Sequence, residues 1–407
     1  MRWPEVGSAE TPGPPSALEK ALARIAPVVK EGEGSPIRKI KSLMEARPDM
    51  LSLAMGEANF PPPEELLDAA VRALRGGRNL YTSTNGIPAV REAVARFAAR
   101  WWDADLDPER HVLMTVGGME ALHLAARILV SPGDRVLLPD PGWGMTRVVH
   151  ERLGAELEFY PLRRDPAWSI DVDAILERLD PGVKVVAVNS PSNPTGAVLS
   201  REGWSRLLEA TREMGVFVLS DEVYHNYAYS EPYTSSLAFG PPENVVVVQS
   251  FSKTFAVTGW RLGYAVAHPD VLRQMATYKE SISLCSFSVG QFALAEYLDH
   301  SDPYLAWAND LCRGNMERVV ERLDGLPGVR CAMPEGGFYA FPDLSEIEPS
   351  CQLQTERLLT GGVAVVPGGF FGGEGVGCLR VGIAAPYEQI APALDRFEER
   401  VVAWHQA

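Results

Sequence analysis

Between residues 111 and 250 the chain alternates short, unbroken apolar runs with longer stretches that are apolar at every third or fourth position. The runs at 112–116, 135–138, 157–161, 183–189, 216–220 and 245–249 are strand-length and read as strands buried on both faces. Between them lie helical patterns at 119–129, 172–179 and 200–214. The first carries Ala121, Leu122, Ala125, Ile128 and Leu129 on one face. Repeated strand–helix units of this length predict an α/β fold with a mostly parallel sheet covered by helices on both faces. Upstream, 51–56 reads as a short strand ending in a proline-rich loop. The stretches 64–74 and 88–99 read as helices, the second with Pro88 just inside its start. Gly117-Gly118 reads as a tight turn. From Pro269 the pattern is largely helical to about 326, and strands are expected near 337–341, 363–366 and 378–383. The expected division is an N-terminal arm (1–34, with a short helical pattern at 16–29), a large domain (62–299), and a smaller α+β domain built from both chain ends (35–61 plus 300–407).

Composition narrows the function. A net charge of -15 over 407 residues argues against nucleic acid or an anionic membrane surface as partner. No apolar run approaches a membrane span, and the first residues lack the apolar core of a signal peptide, so a cytoplasmic protein is expected. Five cysteines without a Cys-x-x-Cys pairing read as reduced thiols, and seven histidines without metal spacing predict no metal site.

The oddest residue is Lys253, directly after the apolar run 245–249, in Ser250-Phe251-Ser252-Lys253-Thr254 with Arg261 beyond. Loops at the carboxyl ends of parallel strands are where open α/β sheets place ligands. A desolvated lysine there, beside another cation, has a lowered pKa and becomes a nucleophile toward an aldehyde. The serines and Arg261 could hold a phosphate dianion. Together they suggest pyridoxal phosphate. A plain surface lysine is the bland alternative. The hydrolase pattern Ser-x-x-Lys, which Ser250 and Lys253 also satisfy, lacks its Lys-Thr-Gly partner.

Other strand ends carry further candidates. Gly117 and Gly118 open a helix, where backbone N–H groups bind phosphate, although Gly-Gly is also ordinary turn chemistry. Asn193 sits in a rigid proline-rich loop that could equally be a plain turn. Asp221 ends a buried strand and needs a cation, which a protonated pyridine nitrogen or a structural ion pair would supply. Tyr224 follows it and could donate to a ring oxygen. Trp143 suits stacking on a planar ring or anchoring a core. Arg380 interrupts an apolar strand and needs a carboxylate, which a substrate could bring.

The set Ser250 to Thr254, Gly259-Trp260-Arg261-Leu262-Gly263, Asn193-Pro194-Thr195-Gly196, Asp221-Glu222-x-Tyr224 and Leu379-Arg380-Val381 resembles the signatures of the fold-type I pyridoxal-phosphate aminotransferases, class I/II. The resemblance spans roughly residues 35 to 395. It implies a ping-pong transfer of an amino group between an L-amino acid and a 2-oxo acid, with Lys253 as Schiff-base lysine and proton shuttle. Asp221 would pair with the pyridine nitrogen, and Tyr224 and Asn193 would bind the phenolic oxygen. Ser250, Arg261 and the Gly117-Gly118-Met119 turn would hold the phosphate, and Trp143 would stack on the ring. Arg380 would clamp the substrate carboxylate, with Asn193 and the Gly56 backbone. Tyr81 would reach a phosphate across the interface of a homodimer with shared active sites, and the N-terminal arm is expected against the partner subunit. The chain departs from the family's pattern at Gly118 or Met119, where a Ser or Thr often gives the phosphate a hydroxyl, and at Met119, where some members acting on acidic substrates carry a lysine. It departs again at Gly56-Glu57-Ala58-Asn59-Phe60. A pyridoxal-phosphate lyase would share every one of these residues, and a non-catalytic ligand-sensing domain is the remote alternative.

Overall fold

The central sheet has seven strands, and the chain's apolar runs are its strands: β2 (Val112–Thr115), β3 (Arg135–Asp140), β4 (Glu156–Pro161), β5 (Val183–Asn189), β6 (Phe217–Asp221), β7 (Val245–Ser250) and β8 (Gly263–Val266). A two-residue strand, β1 (Leu51–Ser52), precedes them. The computed structural model describes residues 16–25, 36–230 and 232–405. Strand order is β2-β8-β7-β6-β5-β3-β4, with β3 to β7 mutually parallel and β8 antiparallel to both its neighbours. The sheet is thus mostly parallel, as expected. β7 is buried at every position because helices cover both faces, which is why its sequence does not alternate. Strand order reverses at β3, with β4 on one side and β5 on the other. Ligands collect beyond the carboxyl ends of strands at such a reversal.

The C-terminal part forms two small sheets. β1 pairs in parallel with β10 (Val363–Ala364), which fastens an early segment to a late one. β11 (Val366–Pro367), β12 (Leu379–Gly382) and β9 (Tyr339–Ala340) pair antiparallel around the central β12. Their apolar faces share a core with the helices Asp302–Asp324, Cys351–Thr360 and Tyr387–His405 through Met316, Leu358, Val381 and Phe397.

Several expectations need correction. Gly117-Gly118 is no separate turn: the helix begins at Gly117 (Gly117–Leu129). The expected strand 51–56 keeps only Leu51–Ser52 as strand, and the helix at 172–179 ends at Leu176. β8 (Gly263–Val266) begins on the last glycine of the Arg261-Leu262-Gly263 motif and was not among the expected strands. The helical stretch from Pro269 is three long helices, Pro269–Glu280, Ser288–Tyr297 and Asp302–Asp324. In the arm, Ala17–Leu22 is helical, and the rest of 16–29 beyond residue 25 lies outside the described residues. Among the described residues no helix is long and apolar enough to cross a membrane.

One buried ion pair fixes the helix that opens on the site. Lys279 Nζ, fully enclosed, donates to Glu120 Oε2 at 2.9 Å and to Ser283 Oγ at 2.6 Å. Glu120 Oε2 also accepts the Val116 N–H at 2.7 Å, which satisfies a free donor at the helix start. Lys279→Met therefore strands a buried carboxylate, and a loss of about 3–5 kcal/mol is expected. Thermal unfolding checks it: the Lys279→Met, Glu120→Gln double variant should recover part of the loss, because no unpaired charge remains.

Candidate active site

The carboxyl ends of β5, β6 and β7 place Asn189, Asp221 and Ser250 beside one cavity of about 370 Å³. Arg380, on β12, and Tyr339, on β9, line it from the C-terminal sheet. The segment 54–57 after β1 lines another side, and Lys253 opens onto it from the helix Phe251–Thr254.

Lys253 occupies that short helix because Ser250 Oγ caps it, accepting the Ser252 N–H at 3.2 Å. Tyr227 OH donates to the Lys253 carbonyl at 2.8 Å and holds the turn. The side chain reaches the cavity, where Nζ donates to the Gly56 carbonyl oxygen. Burial lowers the amine to about 8, Arg380 and Arg261 push the same way, and Glu57 opposes them. At neutral pH an appreciable fraction of this amine is unprotonated, as a nucleophile requires.

Asp221 and Glu222 are adjacent carboxylates with opposite circumstances. Glu222 is buried and fully bonded: Oε1 accepts from Ser220 Oγ at 2.8 Å, Ser236 Oγ at 2.7 Å and the Ser236 N–H at 3.1 Å, and Oε2 from Ser235 Oγ at 2.6 Å. Asp221 accepts one long bond, from the Val223 N–H at 3.4 Å, and has no cationic partner among the described residues. Part of its surface faces the cavity and the rest is enclosed, so desolvation dominates and raises it to about 7.

Arg380 is fully buried in β12, and among the described residues it likewise pairs with no carboxylate. Nη1 donates to Asn193 Oδ1 at 3.2 Å and Nη2 to the Ala54 carbonyl at 3.1 Å. Its Cζ lies 4.3 Å from the centroid of the Tyr339 ring and 5.2 Å from that of Phe371, and Nε has no hydrogen-bond partner among the described residues. Asn193 Nδ2 donates to Tyr224 OH at 3.4 Å, and the Tyr224 and Tyr339 hydroxyls lie 3.1 Å apart. A Cβ at Gly56 would stand 3.4 Å from Tyr339 OH and 3.5 Å from Arg380 Nη2, so backbone lies close to this group.

At the other end, Arg261 adopts a left-handed backbone (φ 52°) and turns its guanidinium over Gly117. Gly117 has φ +73°, and a Cβ there would sit 2.6 Å from Arg261 Nη2, so only glycine fits. Gly118, Met119, Ser250 and Ser252 line the same end, where the buried Ser252 Oγ has no partner among the described residues. Trp143 caps the start of the helix Gly144–Arg152, lines the cavity, and meets Phe370 edge-on at 6.5 Å.

Of the residues expected from sequence, Tyr81 lies apart: it is 84% exposed, next to Leu80 at 81%, and does not line this chain's cavity. Tyr339, Asn189 and Lys41 line the cavity without having been singled out, and Glu57 does so from the segment noted as a departure. The one available signal was Gly336-Gly337 before the aromatic strand, a backbone held close to something else.

The chain's relatives share this arrangement of elements. The family model for aminotransferase class I and II matches residues 48–397. The chain is 33% identical to an aspartate aminotransferase of Pyrococcus horikoshii over 90% of its own length and 94% of the relative's. It is also 33% identical to an aspartate/prephenate aminotransferase of Thermus thermophilus, over 86% and 90%. The solved structure of a Thermus thermophilus aspartate aminotransferase with maleate superposes with a TM-score of 0.87 at 31% identity, over 92% of this chain and 99% of that one.

Proposed function

Because the chain belongs to the class I and II aminotransferases and is an enzyme that transfers amino groups, we propose that it uses pyridoxal phosphate, held in the cavity between Lys253 and Asp221. One observation carries the reading: an amine lowered to about 8 shares a cavity with an enclosed carboxylate that has no cationic partner. The residues fit the cofactor. Asp221 lacks the cation that a protonated pyridine nitrogen supplies. Ser252 Oγ is a buried donor without an acceptor among the described residues, and Arg261 over Gly117 is a cationic cradle that a side chain at 117 would fill.

Pyridoxal phosphate, when bound, supplies an electron sink for negative charge at the substrate Cα. The chain's residues do the rest. Lys253 Nζ would be the amine that condenses with the cofactor's aldehyde, the oxygen leaving as water, and, once the substrate amine has displaced it, the base that carries a proton to and from Cα. Asp221 keeps the pyridine nitrogen protonated, Tyr224 and Asn193 hydrogen-bond the ring oxygen, and Trp143 covers the ring. Ser250, Ser252, Arg261 and the amides of Gly118 and Met119 hold the phosphate. Arg380 binds the α-carboxylate of an L-amino acid or 2-oxo acid as a planar fork. The exposed Tyr81 is assigned to the partner's phosphate site in a homodimer. Residues 62–299 form the cofactor-binding domain and 35–61 plus 300–407 the smaller one, a division the β1–β10 pairing supports. Five free thiols suit a reducing cytoplasm.

The test is a single turnover of the holoenzyme with a panel of amino acids and no acceptor. The expected result is one equivalent of 2-oxo acid per site, no ammonia, and a visible band lost until a 2-oxo acid is added. Continuous ammonia or thiol release with the band unchanged makes the protein a lyase and overturns the reading.

A further inference from the structure

Four side chains close a ring around the cavity wall: Arg380 to Asn193, Asn193 to Tyr224, Tyr224 to Tyr339, and the Tyr339 ring back against the Arg380 guanidinium. Hydrogen-bond chemistry orients most of it. Arg380 has donors only, so Asn193 must turn Oδ1 toward it, which leaves Nδ2 to donate to Tyr224. The Tyr224 oxygen then has one lone pair and its own proton left. If Tyr339 donates into that lone pair, the Tyr224 proton is excluded from the ring and points to the cavity. If Tyr224 donates to Tyr339 instead, the proton is spent inside the wall. Burial raises both phenols, but Arg380 Cζ lies 4.3 Å from the centroid of the Tyr339 ring, and a cation against a phenol's face strengthens its hydroxyl as a donor, which favours Tyr339 donating to Tyr224.

We propose that the Tyr339 hydroxyl is a positioning group that fixes Tyr224 as a donor into the cavity, tying the cofactor end of the site to the carboxylate anchor Arg380. The proposal rests on the role given to Tyr224 above. It has a consequence for substrate binding. A carboxylate on Arg380 offsets the charge that favours Tyr339 as donor, so occupancy of the anchor is felt at the cofactor's ring oxygen without any movement of the backbone.

The charged and titratable groups facing this pair are Asp221 and Arg380 around Tyr224, and Arg380 and Glu57 around Tyr339. All remain in place when one hydroxyl is removed. Without the bond from Tyr339, Tyr224 still donates to the ring oxygen but is less polarised and donates more weakly, and without Tyr224 that donor is gone; either change leaves the oxygen a stronger acceptor for the proton at the Lys253 nitrogen, so that proton is held to higher pH.

The experiment is a pH titration of the visible absorbance of the holoenzyme for wild type, Tyr339→Phe, Tyr224→Phe and the double variant. The midpoint should rise by about half a unit or more in Tyr339→Phe. The double variant should match Tyr224→Phe alone, because Tyr339 acts through Tyr224. An unmoved midpoint in Tyr339→Phe, or shifts that add, overturns the proposal. Butyrate inhibition separates ring from hydroxyl: Tyr339→Phe should bind butyrate within about twofold of wild type, and Tyr339→Leu, which also loses the ring against Arg380, about tenfold more weakly. Equal weakening in both variants overturns the proposal. Tyr224→Phe supplies a measurement that leaves Tyr339 intact. Butyrate should raise the wild-type midpoint, and raise it distinctly less in Tyr224→Phe; equal rises overturn the proposal. A wild type with no visible band sinks this inference and the cofactor assignment together, whereas an unmoved Tyr339→Phe midpoint sinks this one alone.

Discussion

Lys253→Ala is expected to lower kcat by at least about 10⁴-fold, the upper range for a proton-transfer group, because one nitrogen serves as both nucleophile and proton carrier. No neighbour can replace it. The other cations on the cavity, Arg261 and Arg380, are guanidiniums that offer no free amine, and Lys41 lines the cavity from the helix Pro36–Ala46, outside the ring that links Arg380 to Tyr224. Substrate carboxylate binding at Arg380 should survive, so kcat falls far more than butyrate affinity. The amine's acidity gives a second readout. Burial sets it at about 8, against an ordinary 10.5, so the unprotonated fraction grows about tenfold per pH unit below that value and then levels off. The rate at which cofactor-free protein takes up pyridoxal phosphate should follow the same curve, flattening near pH 8. A rate that keeps climbing to pH 10 would mean that burial does not control this lysine.

Most of the sheet was legible in the sequence because strands buried on both faces leave unbroken apolar runs, as β5 and β7 do. β8 was not, since four residues beginning with a glycine and following Arg261 give no run long enough to distinguish from a loop. The break after Glu280 was invisible for another reason. No glycine or proline marks it, and the chain turns through Leu284 at φ 62° while Ser283 joins the buried Lys279–Glu120 pair, a tertiary cause. The site divides along the same line. Arg380 and Asp221 stood out because a charge inside an apolar strand violates burial chemistry and demands a partner. Tyr339 violates nothing: an aromatic in a strand is ordinary core. Its place between Arg380 and Tyr224 depends on β9 and β12 pairing across a long stretch of chain.

Asp221→Asn should produce opposite effects on activity and on stability, and both follow from one unpaired carboxylate. In the function proposed above this carboxylate holds a proton on the pyridine nitrogen, so replacing it with a neutral amide should lower kcat by about 10³-fold. Glu222 cannot substitute, because three serine hydroxyls and a backbone N–H already occupy its oxygens. In the cofactor-free protein the same carboxylate is a burden. Its pKa is raised from 3.8 to about 7 on folding, so between those values the folded state binds more protons than the unfolded state. Stability from this group is therefore fully present below pH 3.8 and is lost as pH rises through about 7. The amide removes that loss, and cofactor-free Asp221→Asn should unfold at a higher temperature than wild type at pH 8, with the advantage shrinking toward pH 5. Binding of pyridoxal phosphate should reverse the ranking, since only the carboxylate gains a cation. If the variant is less stable than wild type at pH 8 without cofactor, Asp221 already has a partner in the free protein, and the assignment of its cation to the pyridine nitrogen fails.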